Sequence, residues 1–291
     1  MKIVVTGSGG RIGRAIYRRL APQHDVIGLD RAPSSTAHVL ADICDDGALA
    51  RAMKGADAVI HVAALHAPHV DVVSDADFAR VNVEGTRRVL TAAVEAGVRR
   101  LVLTSTTALY GYASKSPDGA VWVDENTVPK PRNIYHRTKL EAEELLREAA
   151  QHHGLQVRII RMSRCFPEPA PVMAAYRLHR GVDARDVAAA HALALINTGA
   201  PSQTYIVSGR TPFVPSDSPA LLRDAPAVLA QRAPDLVRAF AARGWPLPRS
   251  IDRVYCAQRA ERDLGWTPRF GFDEVLAEHD RESPEVLPPR P

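Results

Sequence analysis

The sequence predicts an α/β fold: a doubly wound parallel sheet with a small C-terminal lobe. Three observations predict it. Short β-branched runs alternate with helix-length stretches through most of the chain, the pattern of strands joined by helical crossovers. The first run ends in glycines at 7, 10 and 13, and helical spacing follows at once. The second run ends in an acid, Asp30, 17 residues past Gly13.

Lys2-Ile3-Val4-Val5-Thr6 has the composition of a buried strand, and Arg14-Ala15-Ile16-Tyr17-Arg18-Arg19-Leu20 has helical spacing. Strand, glycine turn, helix, strand and acid is the order a dinucleotide site needs. Gly7, Gly10 and Gly13 allow a tight turn, approach of backbone N–H groups to a pyrophosphate, and close packing of helix on strand. Arg11 and Ile12 sit at the helix N-terminus, where unpaired donors and a partial positive charge face the phosphates. Asp30 can accept both ribose hydroxyls and repels the 2′-phosphate of NADP, whereas Arg31 behind it could attract that phosphate. The carboxylate holds the strand terminus, so NAD is expected ahead of NADP. The spacing is G-x-x-G-x-x-G, not G-x-G-x-x-G.

Composition excludes several classes. The 291 residues suffice for one large domain with an appended lobe. A net charge of +4, scattered along the chain, argues against nucleic acid. No apolar run approaches the ~18 residues of a membrane span. The chain starts directly in a strand, so no signal peptide is expected. Cys44, Cys165 and Cys256 are odd in number and far apart, which suits a reducing cytoplasm and gives no metal-ligand spacing. No metal is expected, and the adjacent His152 and His153 read as a polar helix end.

The remaining elements follow in order. Residues 38–41 read as a third strand, followed by Asp42 and Ile43, which could meet an adenine; Asp42 could equally cap the helix of 46–54. Residues 57–62 form a fourth strand ending in Ala63 and Ala64, small enough for a flat cofactor to lie close. His61 within it reads as a core histidine. A long helix over 74–96 carries Asn82, which can hold backbone or water. The fifth strand, 99–104, ends in Ser105, Thr106 and Thr107, hydroxyls at the carboxyl end of a parallel strand, where such sheets bind ligands. A loop over 111–132 leads to a helix over 133–153. There Tyr135 and Lys139, four apart, share one face.

These motifs together resemble the extended short-chain dehydrogenase/reductase family, the NAD-dependent epimerases and dehydratases with a Rossmann-type nucleotide domain. The matches are Thr6-Gly7-x-x-Gly10-x-x-Gly13, Asp30, Asp42-Ile43, His61-x-Ala63-Ala64, Asn82-Val83-x-Gly85-Thr86, Ser105-Thr106, Tyr110-Gly111, Tyr135-x-x-x-Lys139, Arg161, Arg185-Asp186-Val187-Ala188 and Leu264-Gly265-Trp266-x-Pro268. The resemblance implies that Tyr135 is the general acid/base, that Lys139 binds the nicotinamide ribose and lowers the tyrosine pKa, and that Thr106 holds the reacting oxygen. It implies NAD contacts from Gly7, Gly10, Arg11, Ile12, Gly13, Asp30, Arg31, Asp42, Ile43, Ala63, Ala64, Asn82, Tyr135 and Lys139. A homodimer through the helices of 74–96 and 133–153 is expected by the same analogy.

One segment departs from the nucleotide-sugar enzymes. Arg164 stands where they usually carry Asn, and residues 171–185 are too short for their nucleotide-binding segment. Cys165-x-Pro167-Glu168-Pro169 is instead similar to uronate dehydrogenases, in which a Tyr-Arg like Tyr176-Arg177 binds the substrate carboxylate. Arg161, Arg164, Arg177, His179, Arg180 and Arg185 crowd this stretch, and an Arg fork suits a carboxylate. Thr107, Arg164 and Arg177 are therefore the expected substrate contacts.

The expected layout is a nucleotide domain of 1–165 continued by 185–208. A substrate lobe of 166–184 and 209–281 follows, with a flexible tail of 282–291. An amphipathic helix is expected over 225–243, and Trp245 and Trp266 as core. The leading reading is an oxidoreductase moving hydride between NAD(P) and a small sugar-like, possibly anionic substrate. Two readings compete: a nucleotide-sugar epimerase or dehydratase with an internal redox cycle, and a non-catalytic cofactor-binding regulator.

Overall fold

The computed structural model describes residues 1–289. The chain runs through β1 (Lys2–Thr6), α1 (Arg11–Leu20), β2 (Asp25–Asp30), β3 (Val39–Leu40), α2 (Asp46–Met53) and β4 (Ala58–His61). There follow α3 (Asp75–Phe78), a π-helical turn (Ala79–Glu84), α4 (Gly85–Glu95), β5 (Arg100–Thr106), β6 (Val121–Val123), α5 (Ile134–His153) and β7 (Gln156–Met162). Last come α6 (Ala170–Tyr176), α7 (Ala184–Ile196), β8 (Ser202–Val207), α8 (Ser218–Arg223), α9 (Ala225–Arg232), α10 (Pro234–Ala242), β9 (Arg253–Tyr255), α11 (Gln258–Leu264) and α12 (Phe272–Asp280).

Seven strands form one sheet in the order β3-β2-β1-β4-β5-β7-β8, the doubly wound parallel arrangement. The chain steps outward from β1 to β3, then returns past β1 to β4. That reversal opens a crevice at the carboxyl ends of β1 and β4, where such sheets bind ligands. In register, Thr6 pairs with both Leu29 and His61, and His61 pairs with Leu103. Thr104, Ser105 and Thr106 therefore extend beyond the end of β4.

The chain divides into two compact units. The first comprises Met1–Leu109, Pro131–Arg161 and Val187–Tyr205. Its core packs fully buried strand residues such as Val4, Val59, Leu101 and Ile159 against Leu49, Val89 and Leu146 from helices. Each such side chain contributes about 2 kcal/mol by leaving water. The second comprises Tyr110–Lys130, Met162–Asp186 and the chain from Ile206 on. Its core gathers Phe213, Leu221, Leu236, Phe240 and Val275.

Several elements differ from the sequence reading. The third strand has two residues, not four, because only Val39 and Leu40 pair with β2. The helix expected over 74–96 contains the π turn. The 111–132 loop holds β6, which pairs in parallel with β9, far along the chain. The helix expected over 225–243 is two, because Pro234 has no N–H to continue α9 and begins α10 instead. Trp266 is buried in the core as expected, with its indole N–H donating to the Asp186 carbonyl at 2.9 Å. The expected loose tail is anchored: Val286 is buried, and Leu287 bridges to Pro169. Burial of Val286 and the backbone hydrogen bonds of Leu287 with Glu168 and Ala170 outweigh the tail's prolines. The tail's last two residues, 290 and 291, lie outside the described residues.

Candidate active site

The glycine turn is set by sterics. Gly7 has φ +68°, and a Cβ there would lie 2.7 Å from the Ala63 nitrogen. A Cβ on Gly13 would lie 2.0 Å from the Gly7 carbonyl oxygen, so α1 can cross β1 only with glycine there. Gly10 is the N-cap of α1, and no side chain caps that first turn. Arg11, Ile12 and Gly13 thus present a helix N-terminus suited to a pyrophosphate. Asp30, at the end of β2, accepts the Gly9 N–H at 2.8 Å and the Ala32 N–H at 2.9 Å. These bonds fix the carboxylate at the turn, where it retains acceptor capacity for ribose hydroxyls. Arg31 is exposed. A dinucleotide suits this cradle, since the uncapped first turn of α1 offers donors for its pyrophosphate and Asp30 an acceptor for its ribose.

Asp42 accepts the Cys44 N–H at 2.9 Å and lies 3.6 Å from Arg80. Burial pushes its pKa upward, but the Cys44 and Arg80 interactions outweigh that and hold it below the usual carboxylate value. Asp45, not Asp42, caps α2. Ile43 is buried and packs where Gly85 leaves room, a Cβ there being 2.6 Å from Ile43 Cδ1.

A directed chain of hydrogen bonds runs behind the cradle. The Val62 and Ala63 N–H groups donate to Thr6 Oγ1 at 3.2 and 3.3 Å, so the Thr6 hydroxyl donates onward to His61 Nδ1 at 2.7 Å. His61 Nε2–H then donates to Thr86 Oγ1 at 3.0 Å, and Thr86 donates to the Asn82 carbonyl at 2.6 Å. His61 is neutral, its pKa pushed down to about 3 by burial and then by the charge of Lys139. It is the core histidine the sequence implied. Asn82 holds backbone, as expected: its amide brackets Leu65, accepting from Leu65 N at 2.7 Å and donating to Leu65 O at 2.9 Å, and donates to Thr138 at 3.1 Å. It holds the segment after Ala63 and Ala64 against α5. Ala64 is half-buried there, like Ala63.

Tyr135 and Lys139 share one face of α5 as their spacing implied, and Thr106, which the resemblance implied, lies at the end of β5. Asn133 caps α5 by accepting the His136 N–H at 3.1 Å, which fixes where the helix begins. Tyr135 is 8% exposed, and the Thr106 side chain acts on its hydroxyl. Burial pushes its pKa up to about 12, partly opposed by that side chain. Lys139 is buried, its Nζ donating to the Thr104 carbonyl at 2.7 Å. Burial pulls its pKa down to about 8, against the opposing charge of Glu143. Thr107 is buried. Glu143 is a buried residue that the sequence reading missed. An acid four residues past Lys139, flanked by the apolar Ala142, was the available signal.

The arginines of the expected substrate site meet carboxylates of this chain. Arg177 is 3% exposed and pairs with Asp183 at 3.0 Å. Arg164 donates to Glu168, Arg161 pairs with Glu143, and Arg185 bridges Asp183 and Glu274. Arg180 stacks 4.0 Å above Tyr176. The arginines crowd the sequence because scattered acids fold onto them. None of Arg161, Arg164, Arg177 or Arg185 is without a carboxylate of its own.

Residues 3–171 match the NAD dependent epimerase/dehydratase family. The chain belongs to that family. NAD is the cofactor of this family, and a metal cluster is not found among the described residues. An NAD-dependent glucose-6-phosphate dehydrogenase from Haloferax volcanii is 31% identical over 58% of this chain and 70% of its own length. An L-arabinose 1-dehydrogenase (NAD(P)(+)) from the same organism is 34% identical over 55% of this chain and 66% of its own length. An N-acetyl-alpha-D-glucosaminyl-diphospho-ditrans,octacis-undecaprenol 4-epimerase from Escherichia coli O157:H7 is 33% identical over 50% of this chain, which spans 43% of its length. A short-chain dehydrogenase/reductase superfamily protein from Agrobacterium tumefaciens, solved with bound NAD, has TM-score 0.73 and 25% identity, covering 96% of this chain and 95% of its own. No helix among the described residues is long and apolar enough to cross a membrane.

Proposed function

We propose that this chain is an NAD-dependent oxidoreductase acting on a hydroxyl or carbonyl of a small sugar-like substrate. The observation that carries it is buried Tyr135 facing the Thr106 side chain, with buried Lys139 one turn further along α5. Asp30 would hold the adenosine ribose and the first turn of α1 the pyrophosphate. NAD, when bound, supplies the hydride acceptor or donor. Tyr135 takes the proton from the substrate hydroxyl, and Thr106 holds the same oxygen in place. The Lys139 ammonium stabilises the tyrosinate, which burial alone disfavours. Sugar dehydrogenases among the relatives support the substrate class. A substrate carboxylate is not part of the proposal, since Arg164 and Arg177 already carry carboxylates.

The test is absorbance at 340 nm with NAD, then NADP, against neutral sugars, sugar phosphates and sugar acids. Accumulating NADH with a neutral or phosphorylated sugar supports the reading. Activity confined to sugar acids would restore the arginines as substrate ligands. No net NADH, with epimerised product, would replace it by an internal redox cycle. We further propose a cytoplasmic homodimer, and a monomer by light scattering would refute the dimer.

A further inference from the structure

Glu143 is wholly buried, yet the proton transfer described above makes no use of it. It follows Lys139 by one turn, so Tyr135, Lys139 and Glu143 share one face of α5. Three successive residues of β5 meet that face. Lys139 donates to the Thr104 carbonyl at 2.7 Å, Ser105 Oγ donates to Glu143 Oε1 at 2.6 Å, and Tyr135 faces the Thr106 side chain. From β7, Arg161 grips both Glu143 oxygens, Nε to Oε1 at 3.0 Å and Nη2 to Oε2 at 2.6 Å. Arg147 adds a further bond to Oε2 at 2.6 Å.

Packing alone does not call for this arrangement. Apolar side chains of similar volume usually stabilise a core at least as well as a buried ion pair. What distinguishes the site is the ammonium one turn away. The other groups facing Lys139 offer it no negative charge. His61 on β4 and His191 on α7, which bonds Thr104 Oγ1 at 2.8 Å, are both neutral, with pKa values held down to about 3 and about 4 by burial. Tyr135 is a neutral phenol, and Arg161 and Arg147 are cations.

We propose that Glu143 is a positioning residue that keeps Lys139 charged and in register on β5, with Arg161 setting how strongly its carboxylate acts. The proposal rests on the role given to Lys139, but its test needs neither substrate nor cofactor. Burial draws Lys139 down to about 8, with Glu143 opposing, so its charge near neutral pH depends on that carboxylate.

The chain has five lysines, Lys2, Lys54, Lys115, Lys130 and Lys139. The full-length protein labelled at lysine 13Cε can therefore be titrated residue by residue by NMR, with Lys139→Arg assigning the signal. Glu143→Gln should lower the Lys139 midpoint by about one pH unit or more, and Arg161→Gln should raise it. The double variant should return to within about half a unit of the parent, because the charges cancel. Single variants that leave the midpoint unmoved, or move it the same way, overturn the proposal and leave Glu143 as scaffold. Should Glu143→Gln fail to fold, Arg161→Gln decides: a rise supports the proposal, and no change or a fall overturns it. Opposed shifts with undiminished turnover in Lys139→Met would retain this inference and refute the role given to Lys139.

Discussion

Lys139 Nζ donates to the carbonyl oxygen of Thr104 at 2.7 Å, so a buried ammonium is held by the strand that ends in Thr106. Helix and strand share one register. The chemistry proposed for Tyr135 therefore depends on the backbone that holds Lys139.

Removing the Tyr135 hydroxyl separates catalysis from folding. Tyr135→Phe should lower turnover by about 10²–10⁴-fold. It should leave NAD affinity within a few-fold and cost no more than about 1 kcal/mol of stability. Absorbance at 340 nm, calorimetric titration of NAD and thermal melts check all three together.

The pH dependence of oxidation follows from the same pair. In the proposed reaction Tyr135 is the ionised base, and its folded pKa is raised to about 12. Its active fraction therefore grows as pH rises. Lys139 loses its charge through about 8 and with it the support for tyrosinate. Oxidation should climb from pH 6 to about 8 and flatten above it. Initial rates over pH 6–10 test this, and a rate falling throughout that range would contradict it.

Asp30 is expected to select the cofactor. Asp30→Ala should weaken NAD by about ten- to hundredfold and bring NADP level with it, since the repulsion of a 2′-phosphate disappears while Arg31 remains. Titration of the variant with each dinucleotide gives the ratio directly.

Gly13→Ala tests the cradle. With the new methyl 2.0 Å from the Gly7 carbonyl, α1 must shift away from β1. Destabilisation of about 1–3 kcal/mol or more is expected, with loss of NAD binding. Gly10→Ala meets only the Gly7 oxygen at 3.4 Å and should be much milder.

Buried neutral histidines make the fold acid-sensitive. His61 and His179 titrate near 3 and His191 near 4, below the ordinary 6.5, because burial disfavours their charged forms. The unfolded chain thus binds more protons between these limits. Stability is full above about 6.5 and declines on acidification, by about 1.4 kcal/mol per pH unit for each histidine. Denaturant midpoints from pH 7.5 to 4.5 should fall steadily, and His191→Gln should flatten the slope.

Local signals carried the nucleotide half of the site. Gly7, Gly13, Asp30, Tyr135 and Lys139 were legible because each acts through short-range spacing on one turn or one helix face. Glu143 and Asp183 were not, because their partners lie on other elements, and a sequence shows charges without showing which ones meet. The acids that meet the arginine-rich stretch were hidden for that reason. The π turn of 79–84 was hidden too, because no residue spacing announces it. β6 was hidden because three residues between prolines become a strand only when β9 arrives to pair with them.

That pairing has a consequence for biosynthesis. Val121–Val123 leave the ribosome long before Arg253–Tyr255, their hydrogen-bonding partners. Through that interval a short edge carrying Trp122 stands open, the kind of surface that recruits other chains. A transcript cut short before residue 253 would leave that edge uncovered for good. Quality control would then see the missing C-terminus at a point in the first half of the protein.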